Sequence, residues 1–235
     1  MKIVVTEYPK SGGNWIVNLL GDSLGLPKRD LYDVLSNHSH FDLSRHPWYG
    51  GESHPTLADS CVIKSHELPG SQRVDFEARY VHLVRDGRDV VVSRYFYEKD
   101  FCVANGIHDS FDIPFDEYVA RVAREWCEYV TAWLQVQKSH FRYEEFLRDP
   151  AGSLRSLLAH LGLIAEDSAV ERAVASNTRE KMRQSLAGAF RHNTFVRKGI
   201  SGDWRNHFSA ENVHAFKEAA GPLLIHLGYE TGANW

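Results

Sequence analysis

The chain opens with a strand, a glycine turn and a helix, and this order limits the fold more than any other feature of the sequence. Residues 3–6 form a short β-branched run that breaks at Tyr8-Pro9. After Gly12-Gly13, apolar residues recur at helical spacing on one face: Trp15, Ile16, Leu19, Leu20 and Leu24. A strand joined to a helix by glycines is typical of the start of a phosphate-binding α/β unit.

Strand-like and helix-like segments alternate along the rest of the chain. Further strands are predicted at residues 61–63, 80–84 and 141–143. Predicted helices cover residues 89–97, 115–137, 151–161, 167–175 and 210–227. We therefore expect an α/β fold with a central parallel sheet flanked by helices. The chain has 235 residues and shows no repeat or linker, so we expect a single domain over residues 1–235.

Two segments without clear periodicity are candidate lids. Residues 27–60 are rich in Ser, His, Pro and Gly, and are interpreted as a long loop. Residues 101–115 are the second candidate. An acceptor-binding lid and a plain connecting loop both stay open for residues 27–60. The histidines there, such as His38 and His40, suggest a metal site, but no cysteine or carboxylate pattern completes one, so we expect no metal.

Bulk composition excludes several classes of protein. A net charge of −4 disfavours a nucleic-acid partner, although it leaves room for a local basic pocket. The three cysteines are odd in number and form no CxxC pair, which argues against a disulfide framework or a structural zinc site. No apolar run approaches the roughly 18 residues of a membrane-spanning helix. We therefore expect a cytoplasmic protein with no membrane partner.

The first chemical motif is the turn after the first strand. Backbone N–H groups freed by Gly12 and Gly13 at a helix N-terminus favour an anion, and Lys10 and the Ser11 hydroxyl add donors. The motif differs from a Walker A loop because Lys10 precedes the glycines. It predicts anion binding, and an ordinary turn with a solvated lysine is the alternative.

Three further basic segments follow predicted strands or lie late in the chain. Lys64-Ser65-His66 ends a strand, where α/β proteins bind ligands. Arg85 follows the next strand, and Ser93 lies on the helix after it; the planar guanidinium of an arginine suits a phosphate. Arg197-Lys198-Gly199 forms a basic, flexible loop. Each segment alone is also compatible with an ordinary surface salt bridge or packing role.

Taken together, these segments resemble the 3′-phosphoadenosine 5′-phosphosulfate (PAPS)-dependent sulfotransferases, the cytosolic type in particular, over most of the chain. YPKSGGNW is similar to that family's YPKSGTTW loop, and IKSHELP to its KTHLP strand end. LVRDGRDVVVSRYFY resembles RNPKDVAVSYYHF, YEEFLRDP resembles YEDLKxDP, and RKGISGDWRNHF resembles RKGxxGDWKNHF. The agreement in wording and in order makes the resemblance specific.

The resemblance implies a role for each matching residue. The 5′-phosphosulfate would be held by Lys10, Ser11, Gly12, Gly13 and Asn14. Trp15 would stack on the adenine, Tyr143 would lie near it, and Thr178 would also contact the nucleotide. The 3′-phosphate would be bound by Arg85, Ser93, Arg197, Lys198 and Gly199. Lys64 and Lys10 would neutralise charge at the transferring group, and His66 would be the general base.

The reaction implied is transfer of a sulfuryl group to an acceptor, which we expect to be a hydroxyl on a small molecule or glycan. Such transfer resembles phosphoryl transfer, in which positioning and electrostatic stabilisation dominate. An imidazole with an ordinary pKa of roughly 6.5 suits removal of the acceptor proton. Fixed cations can serve where a kinase uses Mg²⁺, so PAPS, with PAP (3′-phosphoadenosine 5′-phosphate) as its product, is the only cofactor expected.

The chain departs from the family pattern at three places. Gly13-Asn14 stands where the family usually has Thr-Thr, which removes two hydroxyls but keeps the loop N–H groups. Arg179 stands where the family has an adenine-closing phenylalanine, and it is predicted near the adenine. The family's KxxxTVxxxE dimer motif is degraded from Arg205 onward, so the oligomeric state is left open.

Two other functions compete with sulfuryl transfer. A P-loop kinase or ATPase is disfavoured because Arg85, rather than a Mg²⁺-binding aspartate, follows the predicted strand at 80–84. A non-catalytic nucleotide sensor is disfavoured because Lys10, Lys64 and His66 are all present.

Overall fold

A computed structural model describes residues 1–31, 60–71, 76–185, 192 and 195–235 of the chain. Within these residues, five strands form one parallel sheet with the order β2-β3-β1-β4-β5. The strands are β1 (Lys2–Glu7), β2 (Lys28–Asp30), β3 (Cys61–Ser65), β4 (Arg79–Val84) and β5 (Phe141–Arg142). The first strand of the chain is therefore the centre of the sheet.

Helices cover both faces of this sheet. They are α1 (Gly13–Leu24), α2 (Gly87–Phe96), α3 (Phe115–Val136), α4 (Tyr143–Arg148), α5 (Pro150–His160), α6 (Asp167–Ser176), α7 (Arg179–Ser185) and α8 (Ala210–His226). A π-helical turn, Tyr97–Cys102, continues α2, and a 3₁₀ turn, Asp203–Asn206, precedes α8. No helix in the described ranges is long and apolar enough to cross a membrane.

Alternation along β1 places side chains in the hydrophobic core on both faces. Ile3 and Val5 pack in the cluster that contains the apolar face of α1, whereas Val4 points to the opposite face beside Ile63. A larger cluster forms around α2, α3 and α8, and Trp126 on α3 is its largest fully buried side chain. Burial on both faces explains why β1 is an almost continuous apolar run.

All five strands are parallel, so their carboxyl ends lie at one edge of the sheet. The glycine turn follows β1, His66 follows β3, Arg85 follows β4 and Tyr143 follows β5. Ligands of open α/β sheets bind at this edge, beside the strand where connections diverge to both sides.

The predicted fold class is confirmed, and most predicted elements occur with shifted ends. The interpretation of residues 27–60 as loop was wrong for residues 28–30, which form β2; residues 32–59, with the proposed lid and the histidines considered for metal, lie outside the described residues. Tyr143 was predicted in a strand but begins α4, and α7 was not predicted. In the other candidate lid, Phe101 is fully buried in the π-helical turn.

Gly87 is expected to be intolerant of a side chain. A Cβ atom there would lie 2.6 Å from Trp126 and 2.8 Å from Phe216, both fully buried. Gly87→Ala should therefore lower the free energy of unfolding in urea by about 1–3 kcal/mol, the usual cost of overpacking. Gly232→Ala is the matched control, because a Cβ atom there would meet nothing within 4 Å. The control should be neutral or more stable by about 0.5–1 kcal/mol, and equal stability of Gly87→Ala and the native chain would contradict the packing argument.

Candidate active site

A cavity of about 520 Å³ opens at the carboxyl edge of the sheet. It is lined by residues at or just after the carboxyl ends of β1, β2, β3, β4 and β5, and by the segment 195–200. The structure brings nearly all of the predicted site residues to this cavity: Lys10, Gly12, Gly13, Asn14, Trp15, Lys64, His66, Arg85, Ser93, Tyr143, Arg197, Lys198 and Gly199. Ser11 and Thr178 are the predicted residues that do not line it.

The turn between β1 and α1 is tightly specified. Lys10 has a left-handed backbone (φ 75°), which is uncommon for a residue with a side chain. Gly12 has φ 103°, and a Cβ atom there would lie 2.5 Å from the Tyr143 ring. The chain therefore needs glycine at position 12 for both its conformation and its space. The Ser11 hydroxyl is buried and has no hydrogen-bond partner in the described part of the chain.

The Lys10 ammonium lies between two aromatic rings. Its Nζ is 4.0 Å from the centre of the Tyr97 ring and 4.2 Å from that of Phe195. Enclosure away from water lowers the pKa of Lys10 to about 7, with Glu7 opposing the shift and Lys64 adding to it. Tyr97 is the first residue of the π-helical turn, and such distortions are often found at functional sites.

His66 is held in a defined tautomer. Its Nδ1 lies 2.9 Å from the backbone carbonyl of Glu7, which can only accept, so the proton is on Nδ1 and Nε2 is the basic nitrogen. Burial, followed by the positive charge of Lys64, lowers the pKa of His66 to about 4. The imidazole is thus neutral at physiological pH.

Lys64 is paired with a carboxylate from the neighbouring strand. Its Nζ lies 2.5 Å from Oδ2 of Asp30, and the two residues are register partners in β3 and β2. Asp30 is almost fully buried. This pair fixes the cation beside His66.

Glu7, the last residue of β1, places a second buried carboxylate in the cavity. Its Oε2 accepts a hydrogen bond of 2.6 Å from the backbone N–H of Gly13 in the first turn of α1. Burial raises the pKa of Glu7 to about 7, while Lys64 and the Gly13 hydrogen bond act in the opposite direction.

Arg85 hydrogen-bonds two backbone segments that line the cavity and are far apart in the chain. Its Nη1 donates to the Lys10 carbonyl at 3.0 Å and its Nη2 to the Ile200 carbonyl at 3.2 Å. The guanidinium also lies over the Tyr143 ring, with its central carbon 4.8 Å from the ring centre. The Nε–H of Arg85 is buried, and no acceptor for it lies among the described residues.

Asp203 organises the late basic loop. Its carboxylate accepts from Arg197 at 2.8 Å and from Lys198 at 2.7 Å. These pairs hold the pKa of Asp203 well below its usual range despite the opposing effect of burial. Ser93 lines the cavity from α2, so the elements predicted to bind one phosphate are brought together.

The family comparison adds to this geometry. A family model described as "Sulfotransferase domain" matches residues 1–228. The chain belongs to the sulfotransferase family. It is a PAPS-dependent enzyme that transfers a sulfuryl group to an acceptor. This is the function that the sequence predicted in preference to a kinase, an ATPase or a nucleotide sensor.

Curated relatives and solved structures agree with this family. The chain is 25% identical to mouse sulfotransferase 2B1, over 91% of this chain and 68% of the relative, and 24% identical to mouse sulfotransferase 2A6, over 91% and 81%. The fold matches that of mouse SULT7A1 complexed with PAP, with a TM-score of 0.69, 20% identity and 95% and 83% coverage. It also matches a retinol dehydratase in complex with androsterone and PAP (TM-score 0.67, 19% identity, 95% and 80% coverage).

Of the remaining predicted residues of this sulfotransferase, Trp15 and Arg179 line the cavity and Thr178 does not. Trp15 packs edge-on against Tyr143, with ring centres 5.8 Å apart. Arg179 lines the cavity at the start of α7 and hydrogen-bonds the Lys198 carbonyl. Thr178 is exposed, and its hydroxyl accepts from the Lys181 backbone N–H, so it caps α7.

Sequence reasoning missed five charged or aromatic residues that line the cavity: Glu7, Asp30, Tyr97, Phe195 and Asp203. Glu7 had a detectable signal, because a carboxylate directly before Tyr8-Pro9-Lys10 is unexpected in an anion-binding turn. Asp203 lies within the RKGISGDW motif, where its charge beside two cations was visible. The other three reach the cavity through tertiary packing.

Proposed function

We propose that His66 is the general base of the sulfuryl transfer and that the acceptor approaches its Nε2. The observation that supports this is the hydrogen bond from Nδ1–H to the Glu7 carbonyl, which fixes the ring and leaves Nε2 as the basic nitrogen. Transfer forms a bond between the acceptor oxygen and sulfur and breaks the bond from sulfur to the nucleotide's bridging oxygen. The acceptor proton passes to Nε2.

Lys10 and Lys64 would stabilise the departing negative charge. Both are fixed by protein contacts, Lys10 by two aromatic rings and Lys64 by Asp30. Cations fixed in a site of low dielectric need no reorganisation during the reaction, which is how such groups lower a barrier. The 5′-phosphosulfate would be bound by the rest of this turn, which consists of Ser11, Gly12, Gly13 and Asn14.

The 3′-phosphate would be bound by Arg85, Ser93 and the Arg197-Lys198-Gly199 segment. Buried donors are normally satisfied, yet the Nε–H groups of Arg85 and Arg197 have no acceptor among the described residues. An anion held between the two guanidinium groups would satisfy them.

The adenine would lie against Trp15, Tyr143 and Arg179. Trp15 and Tyr143 are the aromatic residues there, and a guanidinium such as that of Arg179 can also stack on a ring. The hydroxyl of Thr178 caps α7. A contact between Thr178 and the nucleotide stays a prediction.

For the acceptor we propose a hydroxyl on a small molecule or glycan. The chemistry of the site requires a group whose proton His66 can remove, and the retinol dehydratase structure holds a steroid, androsterone. From the sequence we expect a cytoplasmic location and no nucleic-acid partner. The oligomeric state is left open.

We expect PAPS-dependent transfer to survive EDTA. Six cationic side chains line the cavity against three carboxylates, and the described residues contain no group of three or more His, Cys, Asp or Glu that could hold a metal ion. Release of PAP from PAPS in the presence of a chosen phenol or sugar acceptor measures this directly. Loss of turnover on chelation, with recovery on adding Mg²⁺, would contradict it.

His66→Ala should lose most of kcat and bind PAP almost normally. A positioned base contributes roughly 10²–10⁴-fold, whereas the ring makes no predicted contact with the nucleotide phosphates. Stopped assays give kcat, and calorimetry gives the PAP affinity. His226→Ala, on the exposed face of α8, is the control and should match the native enzyme. Native-like turnover by His66→Ala would remove His66 from this role.

PAP should bind at least about a hundredfold more tightly than ADP, because charged hydrogen bonds to the 3′-phosphate contribute roughly 1.5–3 kcal/mol each. Arg85→Ala should remove most of this difference. Arg85 also hydrogen-bonds the Lys10 carbonyl in the turn of residues 10–14. The affinity of the variant for ADP shows whether this turn is still intact. Arg155→Ala, whose ion pairs lie on the surface, is the control. Equal calorimetric affinities of the native enzyme for PAP and ADP would contradict the assignment of the 3′-phosphate site.

A further inference from the structure

We propose that Glu7 is an internal anion that competes with the phosphosulfate for the Gly13 N–H, so that nucleotide binding is coupled to uptake of a proton. This inference rests on the proposed function, in which the turn of residues 10–14 binds the 5′ end of the nucleotide. In this proposal Glu7 changes the affinity of the enzyme for the nucleotide and does not take part in the chemical step.

The Glu7 carboxylate already occupies a position that suits an anion. Its Oε2 is 2.6 Å from the Gly13 nitrogen, and Gly13 is the first residue of α1. The free N–H groups of a first helical turn are those that bind phosphate and sulfate groups in other proteins. A carboxylate in this position therefore uses a donor that an incoming phosphosulfate would use.

Glycine at position 13 makes this arrangement possible. A Cβ atom on Gly13 would lie 2.3 Å from Oε1 and 2.4 Å from Cδ of Glu7, so any larger residue would displace the carboxyl group. Threonine, which the resembling loops carry at this point, is incompatible with it. Glu7 and Gly13 thus form a matched pair in this chain.

The groups around Glu7 set how its charge responds to a ligand. Lys10 faces it from the turn, Lys64 and His66 from the end of β3, and Asp30 from β2. Glu7 is 3% exposed, and burial raises the pKa of its carboxyl group to about 7. An incoming anion beside it raises this pKa further, because like charges disfavour ionisation.

The consequence follows from linkage. A group whose pKa is higher in the complex than in the free enzyme takes up a proton on binding, and affinity falls as pH rises above the free-enzyme pKa. Lys10, whose pKa is lowered to about 7, also gains a proton when an anion binds, so the native profile alone does not identify the group. Neutralising Glu7 separates the two.

The experiment is calorimetric titration of the native enzyme with PAP at about pH 6 and about pH 8.5, in pairs of buffers that differ in ionisation enthalpy. Glu7→Gln should bind PAP about tenfold more tightly than the native enzyme at the higher pH, with this gain shrinking toward the lower pH. Fewer protons should be taken up when PAP binds to this variant than when it binds to the native enzyme, because Glu7 no longer takes up a proton. Glu7→Thr, a β-branched residue suited to the end of β1, should behave like Glu7→Gln.

Glu144→Gln is the matched control. Glu144 is another carboxyl group whose pKa is raised by burial, but it accepts from Tyr229 and the Asp86 backbone and does not line the cavity. It should keep the native pH profile. If the native enzyme binds PAP but neither Glu7 variant binds it more tightly at the higher pH, the role of Glu7 is refuted. If the folded native enzyme binds no PAP at all, the proposed function fails instead.

Discussion

The guanidinium of Arg85 connects the parts of the cavity that the chain builds far apart. It hydrogen-bonds the carbonyl of Lys10 in the first turn and the carbonyl of Ile200 near the end of the chain, and it lies over Tyr143. The residue follows β4, next to the central strand, so it reaches both segments from the carboxyl edge of the sheet. The positions of the turn at residues 10–14, of the loop before Ile200 and of Tyr143 are therefore tied to this one side chain.

Charge balance is the second constraint on this site. A cavity lined by cations is unstable without an anion, because like charges repel most strongly where water is excluded. Two carboxylates reduce this repulsion: Asp30 pairs with Lys64, and Asp203 pairs with Arg197 and Lys198. The carboxylates therefore hold these cations in place within the cavity.

The sequence predicted the parallel sheet because strands and helices alternate with clear periodicity, and it predicted most of the basic residues through the family motifs. It did not predict β2, since Lys28, Arg29 and Asp30 carry no strand pattern and pair only because β3 lies beside them. The sequence shows a carboxylate at Glu7 directly before Tyr8-Pro9-Lys10, but it does not show that this carboxylate is buried or what surrounds it. Its environment is created by residues of β2, β3 and α1, and local sequence carries no record of that convergence.

The left-handed backbone of Lys10 has a consequence for how this enzyme can change. A residue with a side chain in that conformation gives up about 1–2 kcal/mol relative to glycine, which adopts it freely. Contacts of the ammonium with Tyr97 and Phe195 offset part of this cost. Drift toward a more stable protein would therefore favour glycine at position 10, whereas the role proposed for Lys10 in the reaction would favour keeping the lysine. With that role, stability and activity would pull in opposite directions at this residue, and an inactive descendant of this sequence would be expected to lose the lysine early.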